Sequence, residues 1–220
     1  QNGTLLQGGK YKIETVLGQG GFGITYLATQ TLTDKKVAIK EFFFKEYCER
    51  DNVSGTVTVP TTSKKKFVEK FQKKFLKEAK IISDLNHKNI IRVLDVFQEN
   101  DTSYYSMEYI IGKSLAQEIN AKGKIDETEA ISIIDSIGQA LSYLHERHIN
   151  HLDVKPGNIM IDEKEHRTVL IDFGVSKQYD PETGDGTTTT PVGISHGYSP
   201  LEQYNTGGVN NFSPQSGIYA

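Results

Sequence analysis

A single cysteine, Cys48, is all the thiol chemistry that this 220-residue chain carries. An internal disulfide is therefore excluded, and a reducing, cytoplasmic setting is expected. No apolar run approaches the length of a membrane span and the N-terminus has no signal-peptide pattern, so no membrane partner is expected. Positive charge is not in excess: 25 Lys and Arg stand against 28 Asp and Glu, a formal net charge of -3 that gives no reason to expect nucleic-acid binding. What remains is a chain with 36% hydrophobic residues, enough to bury a core and to divide into two lobes.

The residues that carry chemistry are concentrated between 151 and 174. His151-Leu152-Asp153-Val154-Lys155-Pro156-Gly157-Asn158 is followed, after a strand-turn-strand stretch, by Asp172-Phe173-Gly174. Phosphoryl transfer asks a protein mainly for positioning and charge neutralisation, so it needs an acid facing the attacking hydroxyl and hard oxygen ligands for Mg2+. Asp153 fits the first need; Asn158 and Asp172 fit the second. Lys155, two residues beyond Asp153 on an extended segment, falls on the same side of the chain and can reach a transferring phosphate. This stretch resembles the catalytic loop and magnesium motif of eukaryotic-type protein kinases. The Asp-x-Lys-Pro-x-Asn context of Lys155 resembles the serine/threonine branch, and the Gln203-Tyr204 pair resembles bacterial members.

The other end of the chain points the same way. Gly18-Gln19-Gly20-Gly21-Phe22-Gly23 lies between the apolar run around Ile13, Val16 and Leu17 and a second strand-like run from Ile24 to Ala28. Glycines between two strands let backbone amides approach phosphates, whereas the dinucleotide fold needs a helix after its third glycine. Alone, such a segment is equally a plain hairpin turn; Val37-Ala38-Ile39-Lys40 follows at the spacing of the next strand. Lys40 by itself reads as an edge-strand lysine. The resemblance instead implies a ligand of the α- and β-phosphates held by a helix glutamate. Phe67, Phe71, Phe75, Ile82 and Leu85 recur at helical spacing with Glu78 beside them, so Glu78 is the expected partner and Glu69 the alternative. The lysines at 64, 65, 66, 70, 73 and 74 read as the solvated face of that helix, with a docking patch for an acidic partner as the lesser reading.

The predicted fold class is α+β. The resemblance implies a two-lobed protein-kinase-like fold, with an antiparallel β small lobe over residues 1–111 and an incomplete, mainly helical large lobe over 112–220. The small lobe is expected to hold a five-stranded sheet, the Gly-rich loop, a helix over 64–85 and a polar insertion over 45–62 with a short strand near 55–59. In the large lobe, Asp126 and Glu129 read as a capping box opening a helix over 128–147, with Ile133, Ile134, Ile137, Leu141 and Leu144 as its buried stripe. The resemblance further implies ATP and Mg2+ as cofactors. The nucleotide would be bound by Gly18, Gly20, Gly21, Gly23, Thr25, Ala38, Lys40, Met107, Glu108, Ile110 and Met160, and the metal by Asn158 and Asp172. Asp153, Lys155, Lys40 and Glu78 would be catalytic.

Departures from the family pattern are equally informative. Leu152 stands where the family has an arginine that pairs with a phosphorylated activation loop, Thr25 replaces a valine, and Gly217 replaces an aspartate beneath the catalytic loop. An activation segment is expected over 172–202, with Thr187, Thr188, Thr189 and Thr190 as candidate phosphorylation sites and Ser195 as the hydroxyl bridging Asp153 and Lys155. The chain ends where the family's long buried helix begins, so self-association or a partner protein covering the helix over 128–147 is expected. The predicted function is an ATP-dependent protein serine/threonine kinase, with a protein as substrate. The alternative is a truncated nucleotide-binding scaffold with little transfer activity. Leucine cannot make a charge-assisted contact to phosphate, so joint replacement of Thr187–Thr190 by alanine is expected to leave phosphate incorporation within about twofold of wild type. Abolished activity in a folded variant would refute independence from a phosphate latch.

Overall fold

The structure, a computed structural model, describes residues 2–173, the backbone of 177–178, and residues 195 and 197–199. The chain divides into two compact units, one formed by residues 1–85 and 92–109 and the other by 86–91 and 110–220. The sequence expects a single break after residue 111; residues 86–91 instead group with the second unit.

The first unit is built on an antiparallel sheet of β1 (Leu5–Leu6), β2 (Tyr11–Gln19), β3 (Gly23–Gln30), β4 (Lys35–Phe42), β7 (Val93–Glu99) and β8 (Thr102–Glu108), in the order β1-β2-β3-β4-β8-β7. The sheet has six strands rather than the expected five, because the two residues of β1 are too short to register as a sequence pattern. Alternation along β3 turns Ile24, Tyr26 and Ala28 inward, where they meet Tyr11, Ile13, Val37, Ile39, Phe97 and Tyr104 in one core cluster. The helix α1 spans Thr62–Ser83, two residues earlier than expected at each end, and buries Val68, Phe75, Ala79 and Ile82. Phe75 meets Phe42 at 5.8 Å and Tyr105 at 5.1 Å, so α1 covers the sheet face opposite the core cluster. With both faces covered, β4 reads as a nearly continuous buried run.

Glu41 sits in that run at 1% exposure. A carboxylate in such a place must be surrounded by donors. Tyr26 and Tyr104 each donate a hydroxyl at 2.7 Å, and Arg50 donates from its guanidinium at 2.6 Å. Burial first, and the Glu41 charge second, push both tyrosine hydroxyls up, which keeps them protonated donors. Arg50 belongs to β5 (Glu49–Arg50), which pairs with β6 (Val57–Thr58), and its second nitrogen donates to the Gly55 carbonyl at 2.9 Å. Val57 N–H donates to the Asn100 carbonyl at 2.8 Å. The polar segment over 45–62 is thus a hairpin fastened to the sheet by one buried ion pair. The strand expected at 55–59 is β6; its partner β5 was not anticipated, since nothing in Glu49-Arg50 alternates.

The second unit contains β9 (Gly112–Ser114), α2 (Leu115–Lys122), α3 (Glu127–His145), β10 (Ile149–Asn150), a 3-10 turn (Pro156–Asn158), β11 (Ile159–Asp162), β12 (Arg167–Leu170) and β13 (Lys177–Gln178). The order β12-β11-β9 forms a small sheet, and β10 pairs with β13. A side chain at Gly112 would lie 1.9 Å from the Ile161 carbonyl, so glycine is required for β9 to close on β11. The sequence reading missed α2, although Ser114 and Gln117 form a complete capping box at its start. At α3 only half of the expected box is present: Asp126 accepts from Glu129 N–H at 3.0 Å. The buried stripe of α3 is Ile133, Ile137, Ala140, Leu141 and Leu144. Ile134 departs from the expectation: it is 70% exposed and Ile131 is 59% exposed, because helix phase places them about 75° and about 135° from the centre of the stripe. The apolar surface that suggested self-association is reduced, on this helix, to those two side chains.

Replacing Arg50 by methionine leaves the Glu41 charge buried with only its tyrosine donors. The expected loss of stability is about 3 kcal/mol in urea denaturation. The double variant Glu41→Gln, Arg50→Met is expected to lose less, since no charge is stranded.

Candidate active site

The hairpin of β2 and β3 carries the Gly-rich turn of the first unit. Gly20 N–H donates to the Gly23 carbonyl at 2.9 Å, closing the turn. A Cβ on Gly23 would meet the Glu41 carbonyl at 2.7 Å, so the close approach of β3 to β4 demands glycine there. Cβ positions on Gly18 and Gly21 would meet no atom within 4 Å, which leaves open space beside the turn. The tip is seated from below: Phe43 N–H donates to the Phe22 carbonyl at 3.1 Å and Lys45 N–H to the Gly21 carbonyl at 3.0 Å. Phe22 stacks on Phe71 of α1, with ring centroids 5.6 Å apart.

Strand register gathers the other expected nucleotide residues of this unit. Thr25 lies opposite Lys40, Ala38 opposite Met107, and Lys40 opposite Tyr105, which puts all five on one face of the sheet. This is the face that α1 covers. Lys40 Nζ stands 5.9 Å from the centre of the Tyr105 ring, and Glu78 lies on α1 one turn beyond Phe75, which touches that ring. Glu108 is more committed than the sequence suggests. Its backbone N–H donates to the Arg92 carbonyl and its carboxylate accepts from Arg92 N–H, both at 3.0 Å.

In the second unit, residues 151–155 link β10 to the 3-10 turn. Asp153 is the hub. Its Oδ1 accepts from Ser195 Oγ at 2.5 Å, and its Oδ2 accepts from Lys155 Nζ and from Asn158 Nδ2, each at 2.8 Å. The same Asn158 nitrogen donates to the Asp153 main-chain carbonyl at 2.9 Å, and Lys155 Nζ donates to Ser195 Oγ at 2.8 Å. Three residues, the farthest 42 positions away in the chain, thereby fix one carboxylate. Ser195 is held in turn by Ser199, whose Oγ accepts from Ser195 N–H at 2.9 Å. The sequence reading did not include Ser199 among the site residues; no spacing rule marks a hydroxyl that acts through a main-chain amide. Ile110 is buried, and Met160 is half-buried on β11 between Ser114 and Val169.

His151 joins the catalytic loop to the Asp172 segment. It is wholly buried, and its ring meets Phe173 edge-on at 4.6 Å. Its Nδ1 accepts from Asp153 N–H at 3.3 Å, which assigns the proton to Nε2, the atom that donates to the Ile171 carbonyl at 3.2 Å. Burial drives its pKa down to about 4, against a smaller opposing pull from the Asp172 charge. The ring is therefore neutral, and it sits where one tautomer satisfies both segments. Ile171 N–H also donates to the Asn158 carbonyl at 2.9 Å. Leu152, 2% exposed, and Asp172 both adopt left-handed backbone, with φ of 63° and 59°. Such conformations cost about 1 kcal/mol or more in a residue with a Cβ and are held by surrounding structure.

The donor set expected for a metal, Asn158 and Asp172, is one amide and one carboxylate. Among the described residues there is no group of three or more His, Cys, Asp or Glu able to hold a metal ion. That set is too sparse for an all-protein cage, and suits Mg2+, which keeps waters and takes phosphate oxygens. With Asn158 Nδ2 committed to Asp153, the amide oxygen is the atom left to face a cation.

This constellation on this fold has known counterparts. The protein kinase domain family matches residues 11–208. The chain belongs to the protein kinase domain family. The kinase domain is 34% identical over 212 residues to serine/threonine-protein kinase PrkC of Bacillus subtilis, covering 96% of this chain and 29% of that protein. It is 32% identical over 183 residues to the probable serine/threonine-protein kinase YbdM of the same organism, covering 83% of this chain and 63% of that protein. A solved structure titled PpkA-294 apo form superposes with a TM-score of 0.72 at 26% identity, over 79% of this chain and 61% of that one. The kinase domain thus spans well under two thirds of the length of PrkC and slightly under two thirds of YbdM. Thr187–Thr190, Gly217 and residues 200–202 lie outside the described residues. No helix among the described residues is long and apolar enough to cross a membrane.

The low pKa of His151 has a definite sign in stability. The folded value of about 4 lies below the ordinary 6.5, so between those values the unfolded chain binds a proton that the folded chain does not. The contribution is complete above the ordinary value and is lost as pH falls toward 4. Urea midpoints of the wild type are expected to fall more steeply from neutral to mildly acidic pH than those of His151→Gln. Parallel slopes would exclude this role.

Proposed function

We propose that this kinase domain transfers the γ-phosphate of ATP to a serine or threonine hydroxyl of a protein substrate. The observation that carries the reading is the hydrogen-bonded carboxylate of Asp153, fixed by Lys155, Asn158 and Ser195. In this reading Gly18 to Gly23 cover the phosphates, where Gly18 and Gly21 leave space beside the turn. Lys40, partnered by Glu78, meets the α- and β-phosphates. Thr25, Ala38, Met107, Ile110, Met160 and the carbonyl of Glu108 line the adenine site. Mg2+ held by Asn158 and Asp172 supplies neutralisation of phosphate charge.

Asp153 orients the substrate hydroxyl and accepts its proton as that oxygen bonds to the γ-phosphorus. The bond from the γ-phosphorus to the β,γ-bridging oxygen breaks, and ADP leaves with that oxygen. Lys155 Nζ, 2.8 Å from Asp153, offsets charge on the moving phosphoryl group. Ser195 between Asp153 and Lys155 supports the serine/threonine branch of the family. Leu152, buried and without a cationic group, supports activity that does not await an arginine-to-phosphate latch. Asp172 follows β12 by two residues in left-handed backbone, a strained conformation of the kind that functional sites retain, which supports a ligand role.

Incorporation of labelled phosphate tests the reading. Asp153→Asn is expected to lower the rate by about 100-fold or more at nearly unchanged ATP binding. Asp172→Asn is expected to abolish metal-dependent transfer while the thermal unfolding transition persists. Wild-type protein that binds Mg-ATP but incorporates no phosphate would establish a nucleotide-binding scaffold instead.

A further inference from the structure

The helix α1 carries eight lysines and two glutamates, a surplus of six positive charges in a chain whose net charge is -3. Lys66, Lys70, Lys73, Lys77 and Lys80 follow at steps of three and four residues, so they form one stripe down the helix. At a rise of ~1.5 Å per residue that stripe is about 21 Å long. All five side chains are exposed, and among the described residues none of them is ion-paired, nor is Glu69 beside them. The opposite side of the helix, Val68, Phe75, Ala79 and Ile82, is buried in its own unit, so the stripe faces outward.

The arrangement works against the helix that bears it. Lys66 and Lys70, and Lys73 and Lys77, are like-charge neighbours one turn apart. Lys64, Lys65 and Lys66 oppose the helix dipole in the first turn, which has no acidic residue, and Thr61 makes no side-chain cap. Solubility alone would be met by mixed charge. A concentrated field of one sign is what an anionic partner relieves.

Two features decide which partner. Every cation on α1 is lysine and none is arginine. Arginine's planar fork suits discrete carboxylates and phosphates and is enriched in protein interfaces, where lysine is depleted; lysine offers point charges suited to a diffuse anionic surface. About 100° round the helix from the stripe, Phe67 is 41% exposed and packs on Phe71, with Lys64 Nζ 5.8 Å from the Phe67 ring centre; Phe22, 55% exposed, stacks on the far side of that cluster at Phe71. A straight convex ridge of lysines flanked by an exposed phenylalanine matches a plane with charge outside and hydrocarbon beneath, as for helices that lie on membranes. We infer that the Lys66–Lys80 face of α1 docks on an anionic lipid bilayer surface, with Phe67 at its edge. This docking does not depend on the phosphoryl-transfer reading.

Co-sedimentation with vesicles tests it. The protein is expected to bind phosphatidylcholine vesicles that contain phosphatidylglycerol, to ignore pure phosphatidylcholine, and to dissociate as salt rises. Replacing Lys66, Lys70, Lys73 and Lys77 by glutamine, a good helix former, is expected to weaken binding by about tenfold or more. Replacing the same four by arginine is expected to keep it. Circular dichroism and phosphate incorporation into a soluble substrate, both unchanged, would show that the glutamine variant is folded. No binding to anionic vesicles, binding undiminished in the glutamine variant, or tighter binding to duplex DNA at the same salt would each overturn the inference.

Discussion

Successive residues of a strand point to opposite faces, and β4 uses that constraint to separate two charges that sit next to each other in sequence. Lys40 faces α1, while Glu41 faces the core cluster of the sheet. Neither can move to the other face without shifting the register of β3, β4 and β8 together. The position of Glu41 then dictates what surrounds it. A fully buried carboxylate calls for donors, and the two tyrosines and Arg50 answer that need. Arg50 ties the separate two-stranded hairpin over 49–58 to the sheet, and Phe43 and Lys45, between β4 and that hairpin, seat the Gly-rich turn.

The second unit organises its site by another means, one buried neutral ring. His151 has two nitrogens with opposite hydrogen-bonding roles, and each meets a different segment of main chain. Protonation would turn the acceptor into a donor facing the Asp153 amide, so burial that favours the neutral form also fixes the geometry. Around that ring the backbone tolerates two left-handed residues, Leu152 and Asp172. Their strain is sustained by buried neighbours, Phe173 among them.

Much of the site could be read before any fold was known, because its residues occur in short, ordered blocks. Asp153, Lys155 and Asn158 lie within six positions and were grouped on chemistry alone; the structure places them within hydrogen-bond reach of one another. Ser195 joins them from 40 residues away, and only a family pattern could point to it. The support that Ser199 gives Ser195 and the positioning role of His151 escaped, since each acts through the main chain and leaves no compositional mark. Glu41 and Arg50 escaped for a different reason: an acid after a lysine and an arginine in a polar stretch look like surface residues until burial is known.

Hydrophobic pattern was likewise informative up to the point where phase mattered. Ile133 and Ile134 are equally apolar, and a stripe drawn from composition takes both; the helix can bury one side, and packing against β12 chose Ile133. The sequence by itself determined the long strands and helices, the glycine turn, and the membership of the motifs, because these rest on local spacing and on the two backbone periodicities. Tertiary structure alone decided which charges are buried, which nitrogen of His151 holds its proton, and which residues from distant segments meet at Asp153. Those properties depend on distances between residues far apart in the chain and on the exclusion of water from between them, and neither is encoded in any single segment.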